Sequence, residues 1–285
     1  MLPGLTGVKM KSFENKVAAI TGAGSGMGRS LALQLAQQRC HLALSDVNEA
    51  GLAETAQLAA RHGVKVTAQR VDVADRAAVH AWADTTAREH GKVNLIFNNA
   101  GVGLGATVEG MSYEDFEWLM NINFWGVVHG TKAFLPHLKA SGDGHIINTS
   151  SIFGLVGIPS QSAYNAAKFA VRGFTESLRQ ELDIQKAPVS ATSVHPGGIK
   201  TNIAKAARMS SSMHQLGLDE KTSITNMEKL FITTADSAAS TILRAVRCNK
   251  RRVLVGPDAY VVDLMVRLLP ALYQRVVSFF VQHMK

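Results

Sequence analysis

Val17-Ala-Ala-Ile-Thr-Gly-Ala-Gly-Ser-Gly-Met-Gly28 is an apolar run that dissolves into glycines and restarts, from about Gly28 to Gln38, as a helical pattern. Residues 17–21 have the length and apolar content of a buried strand. A glycine-rich turn between a strand and a helix has one well-understood use. Glycine lets the backbone approach a pyrophosphate closely, and the helix N-terminus behind it offers free N–H groups and the positive end of a dipole. Spaced T-G-x-x-x-G-x-G rather than G-x-G-x-x-G, this turn marks Thr21, Gly22, Ser25, Gly26, Met27 and Gly28 as candidate phosphate-side residues. Glycine is also common in tight turns for backbone reasons alone, so the flanking elements carry the reading.

The same alternation continues outward. His41-Leu-Ala-Leu-Ser-Asp46, residues 64–71, Val93-Asn-Leu-Ile-Phe97, a run ending at Thr149, Val189-Ser-Ala-Thr-Ser-Val194 and Arg252-Val-Leu-Val-Gly256 read as further strands. Helical patterns separate the early ones, over 48–62 and 75–90. Ser112 and Asp115 open a long helix running toward Leu138, in the manner of a capping box. Strands alternating with helices predict an α/β fold: one Rossmann-type doubly wound parallel sheet of about seven strands with helices on both faces. Residues 1–12 are expected to form a flexible lead, 13–256 the domain, and 257–285 a helical extension of it.

Asp46 closes the second strand about twenty residues beyond the glycine turn, where a carboxylate accepts hydrogen bonds from ribose hydroxyls and repels a 2′-phosphate. Neither Ser25 nor Val47 supplies a compensating base. NAD is therefore favoured, with NADP as the alternative. A strand-ending Asp also has a plainer use, as a cap for the next helix.

Chemistry is concentrated between Asn148 and Lys168. Tyr164 and Lys168 stand four apart in a helical pattern and so share one face. An unperturbed phenol titrates at about 10, and a neighbouring ammonium is expected to lower that value until Tyr164 moves protons near neutral pH. Ser151 follows a strand and is placed to hydrogen-bond a carbonyl or alcohol oxygen.

Taken together these motifs resemble the short-chain dehydrogenase/reductase family from about Phe13 to Gly256. They are Thr21-Gly-x-x-x-Gly-x-Gly28, Asp72-Val73, Asn98-Asn-Ala-Gly101, Asn123-Phe-Trp-Gly126, Ser151, Tyr164-x-x-x-Lys168, and Pro196-Gly197 with Thr201. The resemblance implies Tyr164 as general acid/base, Lys168 as the residue that tunes it and holds the nicotinamide ribose, Ser151 as the group orienting substrate, and Asn123 as part of a proton relay. It places Asp72 and Val73 near the adenine, Asn99, Ala100 and Gly101 along the cofactor, and Pro196, Gly197, Ile199 and Thr201 around the carboxamide and phosphates. The implied activity is NAD(P)-dependent interconversion of a secondary alcohol and a ketone by a homodimer or homotetramer. A catalytically idle dinucleotide sensor or scaffold is the competing reading, against which the intact Ser151, Tyr164 and Lys168 speak. His195, preceding Pro196, is expected to be packed or solvated without a catalytic role.

Residues 199–234 would be the substrate lid of this family. Met209, Met213, Leu216, Leu218, Met227, Leu230 and Phe231 within it suit a hydrophobic substrate, although such residues also pack cores. Residues 259–281 are apolar but interrupted by Asp263, Arg267, Pro270 and Arg275, too often for a spanning helix. Packing on the body or a sister subunit is favoured there over peripheral contact with a membrane surface.

The chain has 285 residues, 46% of them apolar and 18% charged, ample for one large domain. Thirty Lys and Arg against 22 Asp and Glu give +8, a bias toward anionic ligands. No basic run interleaved with aromatics argues for nucleic acid. Cys40 and Cys248 form neither a CxxC nor a disulfide framework, and no Cys/His set has metal-ligand spacing, so no metal is expected. The first residues lack the apolar core of a secretory signal, and a cytoplasmic location is the expectation.

Overall fold

A computed structural model describes residues 10–219, 225 and 231–283. Seven parallel strands form its main sheet: β1 (Val17–Thr21), β2 (His41–Asp46), β3 (Val66–Arg70), β4 (Leu95–Asn98), β5 (Gly144–Thr149), β6 (Val189–Pro196) and β7 (Arg252–Val255). Their order across the sheet is β7-β6-β5-β4-β1-β2-β3. Because the winding reverses between β1 and β4, the loops leaving these two strands diverge to opposite faces and leave a crevice at their C-terminal ends.

Each strand of the doubly covered sheet is buried on both sides, which explains unbroken apolar runs in place of alternation. In β1, Ala18 and Ile20 face one layer and Ala19 the other. The first layer contains helix α1 (Gly26–Gln37), α2 (Glu49–Ala60) and α7 (Ala235–Arg247), through Leu31, Leu35, Leu52, Ala239 and Leu243. The second contains α3 (Arg76–His90), α5 (Gly126–Ala140) and α6 (Ser162–Ile184). There Trp82 meets Phe134 edge to face at 5.0 Å. Each such buried aromatic stabilises the fold by about 1.5–3 kcal/mol.

Asn48 and Asp75, expected as the first helical residues of their segments, are N-caps whose side chains accept from Gly51 N and Ala78 N. Ser112 caps α4 (Tyr113–Met120) by accepting from Asp115 N. The long helix expected after it is present without a gap and carries one π-turn, Asn121–Trp125, before α5. One extra residue in that turn swings Asn123 inward, a device common at functional positions. At the N-terminus, Met10 and Phe13 are buried in the core, so the described end of the expected flexible lead is packed.

Two helices follow β7: α8 (Pro257–Leu268) and α9 (Tyr273–His283), separated around Pro270. They are tied to the body by Asp263, which pairs with Arg252 at 2.6 Å, and by Tyr273 Oη, which accepts from Gly157 N at 3.3 Å. Tyr260, Val261, Leu264 and Leu268 remain exposed along α8. Among the described residues no helix is long and apolar enough to cross a membrane.

Candidate active site

Two adjoining cavities open at the C-terminal edge of the sheet. The first, of about 260 Å³, runs from the glycine turn past β2 and β4 and is lined by Gly22, Ser25, Gly26, Met27, Asp46, Asp72, Val73, Asn99, Ala100, Gly101 and Thr201. The second, of about 380 Å³, is predominantly apolar and is lined by Ser151, Tyr164, Lys168, Pro196, Gly197, Ile199, Ala204, Met209, Phe231 and Val262 among others. Met27, Asn99, Gly101 and Thr201 belong to both, so the two form one continuous groove.

Local sequence explains the first cavity. Gly22 and Gly26 adopt φ of +65° and +50°, a region that L side chains rarely occupy. A Cβ on Gly28 would collide with the Gly22 carbonyl oxygen, so α1 begins pressed against the turn. We expect Gly28→Ala to destabilise the fold by about 3 kcal/mol or more, because neither backbone can yield. Thermal melting checks this, and a variant melting within about 2 °C of the parent would contradict so close an approach. Asp46 Oδ2 accepts from Gly24 N at 2.8 Å and Oδ1 from Asn48 N at 2.9 Å. That carboxylate therefore both faces the groove and braces the turn. Asp72 Oδ1 accepts from Ala74 N at 2.9 Å, fixing a bend at the groove's edge.

Not every residue expected in contact with a cofactor lines the groove. Thr21 and Gly28 do not. The Thr21 hydroxyl instead accepts from Asn99 N and Ala100 N, both at 3.0 Å, clamping the β1 turn to the β4 turn. Asn123 also lies outside both cavity linings and is fully buried. Its Nδ2 donates to Val102 O and its Oδ1 accepts from Val102 N, each at 2.8 Å. A Cβ on Gly101 would lie 3.2 Å from Asn123 Oδ1 and 3.6 Å from Lys168 Nζ, so glycine there lets the amide and the ammonium approach the groove together.

In the second cavity Ser151, Tyr164 and Lys168 meet as the helical spacing and strand end suggested. Lys168 Nζ donates to Thr149 O at 3.0 Å and lies 5.5 Å from the Tyr164 ring centroid. Ser151 Oγ accepts from Phe153 N at 3.1 Å, which leaves its hydroxyl hydrogen to be directed at Tyr164 or at a substrate oxygen. The expected acidification of Tyr164 is not what the chain alone produces. Desolvation pushes the phenol up to about 12, a hydrogen bond to Ser151 offsetting part of the rise. Burial likewise brings Lys168 down to about 8. The physical reason is that burial strips the phenolate of water, and that cost outweighs what the Ser151 hydrogen bond returns.

His195 is fully buried. Its Nδ1–H donates to Ser151 O at 3.0 Å, which leaves Nε2 to accept from the Ser193 hydroxyl at 2.9 Å. Burial lowers its pKa to about 4, so it is neutral at pH 7. Packed, as expected, it steadies Ser151 through the backbone.

Several supporting residues carried no signal in the sequence. Asn165 Nδ2 donates to Phe153 O and Val156 O, both at 2.7 Å, stapling the turn after Ser151 to α6. Arg29 donates to Gly24 O at 2.7 Å and pairs with Glu54 at 2.7 Å, holding the glycine turn from behind. An Asn one residue after a catalytic candidate, or an Arg on an amphipathic helix, looks like any polar surface residue until its partners are known. In the expected lid, Met209 lines the second cavity and Met213 is buried near Gly105, whereas Met227 and Leu230 lie outside the described residues.

Comparison with known proteins agrees with this architecture. A family model described as short chain dehydrogenase matches residues 16–211. SadH of Mycobacterium tuberculosis (strain ATCC 25618 / H37Rv), named as an oxidoreductase, is 50% identical over 270 residues, covering 94% of this chain and 96% of its own. The cyclohexanol dehydrogenase of Acinetobacter sp. (strain SE19) is 36% identical over 195 residues, covering 68% of this chain and 77% of its own. A crystal structure of a short chain dehydrogenase/reductase from Burkholderia phymatum in complex with NAD superposes with a TM-score of 0.85 at 32% identity, covering 93% of this chain and 97% of that one.

Proposed function

The chain belongs to the short-chain dehydrogenase family, and from that premise we propose that it interconverts a secondary alcohol and a ketone, with an apolar substrate and a nicotinamide dinucleotide as hydride partner. One observation carries the reading. Ser151, Tyr164 and Lys168 converge on an apolar cavity of about 380 Å³ that is continuous with the glycine-turn groove. The groove fits a dinucleotide by its own construction, since side chains are disfavoured at Gly22 and Gly26, where positive φ and close neighbours leave them no room. Asp46 at its far end favours NAD over NADP.

When bound, the dinucleotide supplies the carbon that accepts or returns the hydride, and in its oxidised form a positive charge. In oxidation Tyr164 takes the proton of the substrate hydroxyl and Lys168 passes it on, through water beside Asn123. In reduction the proton returns by the same route. Ser151 turns its hydroxyl hydrogen to the substrate oxygen, where negative charge grows in the transition state. The raised phenol and lowered ammonium define the pH dependence. With Lys168 at about 8, the pair loses its first proton near that pH. Oxidation needs an acceptor for the alcohol proton, so its kcat/KM rises as pH increases through about 8. Reduction needs the proton present and falls over the same interval.

NADH absorbance tests both statements against a panel of secondary alcohols, ketones, sterols and retinoids with either cofactor. Turnover of apolar alcohols with a sloping profile is expected. No turnover across the panel, with NADH still bound, favours the idle sensor or scaffold. A profile flat from about pH 6 to 9.5 would remove the Tyr164 and Lys168 pair from the rate-limiting proton transfer. The exposed apolar row on α8 supports assembly as a homodimer or homotetramer.

A further inference from the structure

We propose that Asp258, in the first turn of α8, is a positioning residue for the segment 196–201 that borders both cavities. It acts from outside the stretch matched by the family model, which ends at residue 211. The inference rests on the functional reading above only in taking that segment to face the nicotinamide end of the cofactor.

Asp258 Oδ2 accepts from Gly198 N at 2.6 Å, a short bond of the charge-assisted kind. Gly198 O in turn accepts from Thr233 N at 3.2 Å, and Gly197 N donates to Val255 O at 2.9 Å. Among the described residues the turn after β6 is thus held by these bonds and by the pairing of Ile199 and Lys200 with Thr233 and Thr234, and Asp258 contributes the side-chain bond. Glycine at two neighbouring positions makes room for it. A Cβ on Gly197 would collide with the carboxylate, and a Cβ on Gly256 would come within 2.6 Å of Oδ1. Gly256 has φ of +97°, the left-handed region in which glycine is favoured, and this turn aims α8 and its carboxylate back at the β6 turn. The carboxylate occupies the space where Gly197 lacks a side chain and itself borders the second cavity, into which Ile199 and Thr201 continue.

A carboxylate that only capped α8 would satisfy N–H groups of its own helix. Asp258 instead bonds an amide sixty residues earlier, and its Oδ1 has no hydrogen-bond partner among the described residues. Oδ1 is held in place by its sister oxygen rather than by a bond of its own. Removing the side chain therefore frees the Gly198 amide and opens space beside Gly197, on the wall that the nicotinamide end would touch.

The test compares Asp258→Ala, which deletes the acceptor, with Asp258→Asn, which keeps an oxygen in reach. NADH affinity is read by fluorescence and Gly198 by amide hydrogen exchange. Expected for Asp258→Ala are Gly198 exchange faster by at least about tenfold, an NADH Kd raised about tenfold, and a larger change in KM for the dinucleotide than in kcat. Asp258→Asn should recover most of both. Should Asp258→Ala not fold, Asp258→Ser carries the same comparison with a side chain too short to reach Gly198. Gly197→Ala adds a compensation: its new methyl collides with the carboxylate in the parent chain and fits in the Asp258→Ala background, so the double variant melts above Gly197→Ala alone. Unchanged Gly198 exchange with an NADH Kd within about twofold of the parent overturns the proposal. If the parent chain binds no dinucleotide, the functional reading falls by itself, and the exchange comparison still decides whether Asp258 holds the turn.

Discussion

Tyr164→Phe is expected to lower kcat by about 10²–10⁴-fold, the usual contribution of a positioned acid or base, while NADH binds as before. The substitution is nearly isosteric. The ring keeps its edge-to-face contact with Phe153, whose centroid lies 5.9 Å away, and only the hydroxyl is lost. A phenol pushed up to about 12 stays protonated at neutral pH before the cofactor and substrate arrive, so its role depends on the groups assembled around it: Lys168, Ser151 and the oxidised nicotinamide. Stopped-flow NADH formation separates chemistry from release, and fluorescence titration measures the cofactor independently. A variant retaining more than about a tenth of the parental rate would leave proton transfer to some other group.

Asp46→Arg should turn the cofactor preference around. The kcat/KM ratio of NAD to NADP is expected to fall by at least about 100-fold, or roughly 2.8 kcal/mol of differential binding. A repelling carboxylate is removed and a cation of the kind that holds a 2′-phosphate takes its place. The structure adds a cost that the sequence did not show. Asp46 Oδ2 is the acceptor for Gly24 N, so the Arg variant leaves the glycine turn unbraced and should melt lower, by about 1–3 kcal/mol for one unsatisfied amide. Asp46→Asn separates the two roles, because it removes the charge and keeps one oxygen for the turn. An unchanged NAD to NADP ratio in the Arg variant, with the melting temperature reduced, would assign Asp46 to the turn and not to cofactor choice.

Most of the fold was legible because it is written in short-range patterns. β1 and β2 begin and end where their apolar runs do, and Asn48, Asp75 and Ser112 mark helix starts because a side-chain oxygen is needed there for an orphan N–H. Where the reading departed, a distant segment had intervened. The helix expected through 112–138 is continuous but carries an unforeseen π-turn at Asn123, whose amide is bonded to Val102 on another loop. Met10 looked like part of a free end and is buried by the core. Thr21 belongs to the motif yet serves the β4 turn more directly than the groove.

The sequence by itself determined the order of strands and helices, the glycine turn, and the meeting of Tyr164 with Lys168, since each depends on residues within one or two turns of chain. Only the tertiary structure decided how far water is excluded from that pair, that neutral His195 steadies Ser151, and that Asp258 reaches across to Gly198. Hydrogen-bond partners drawn from separate loops, and the desolvation that moves a titration, are properties of the assembled surroundings. They have no period or spacing along the chain from which to be read.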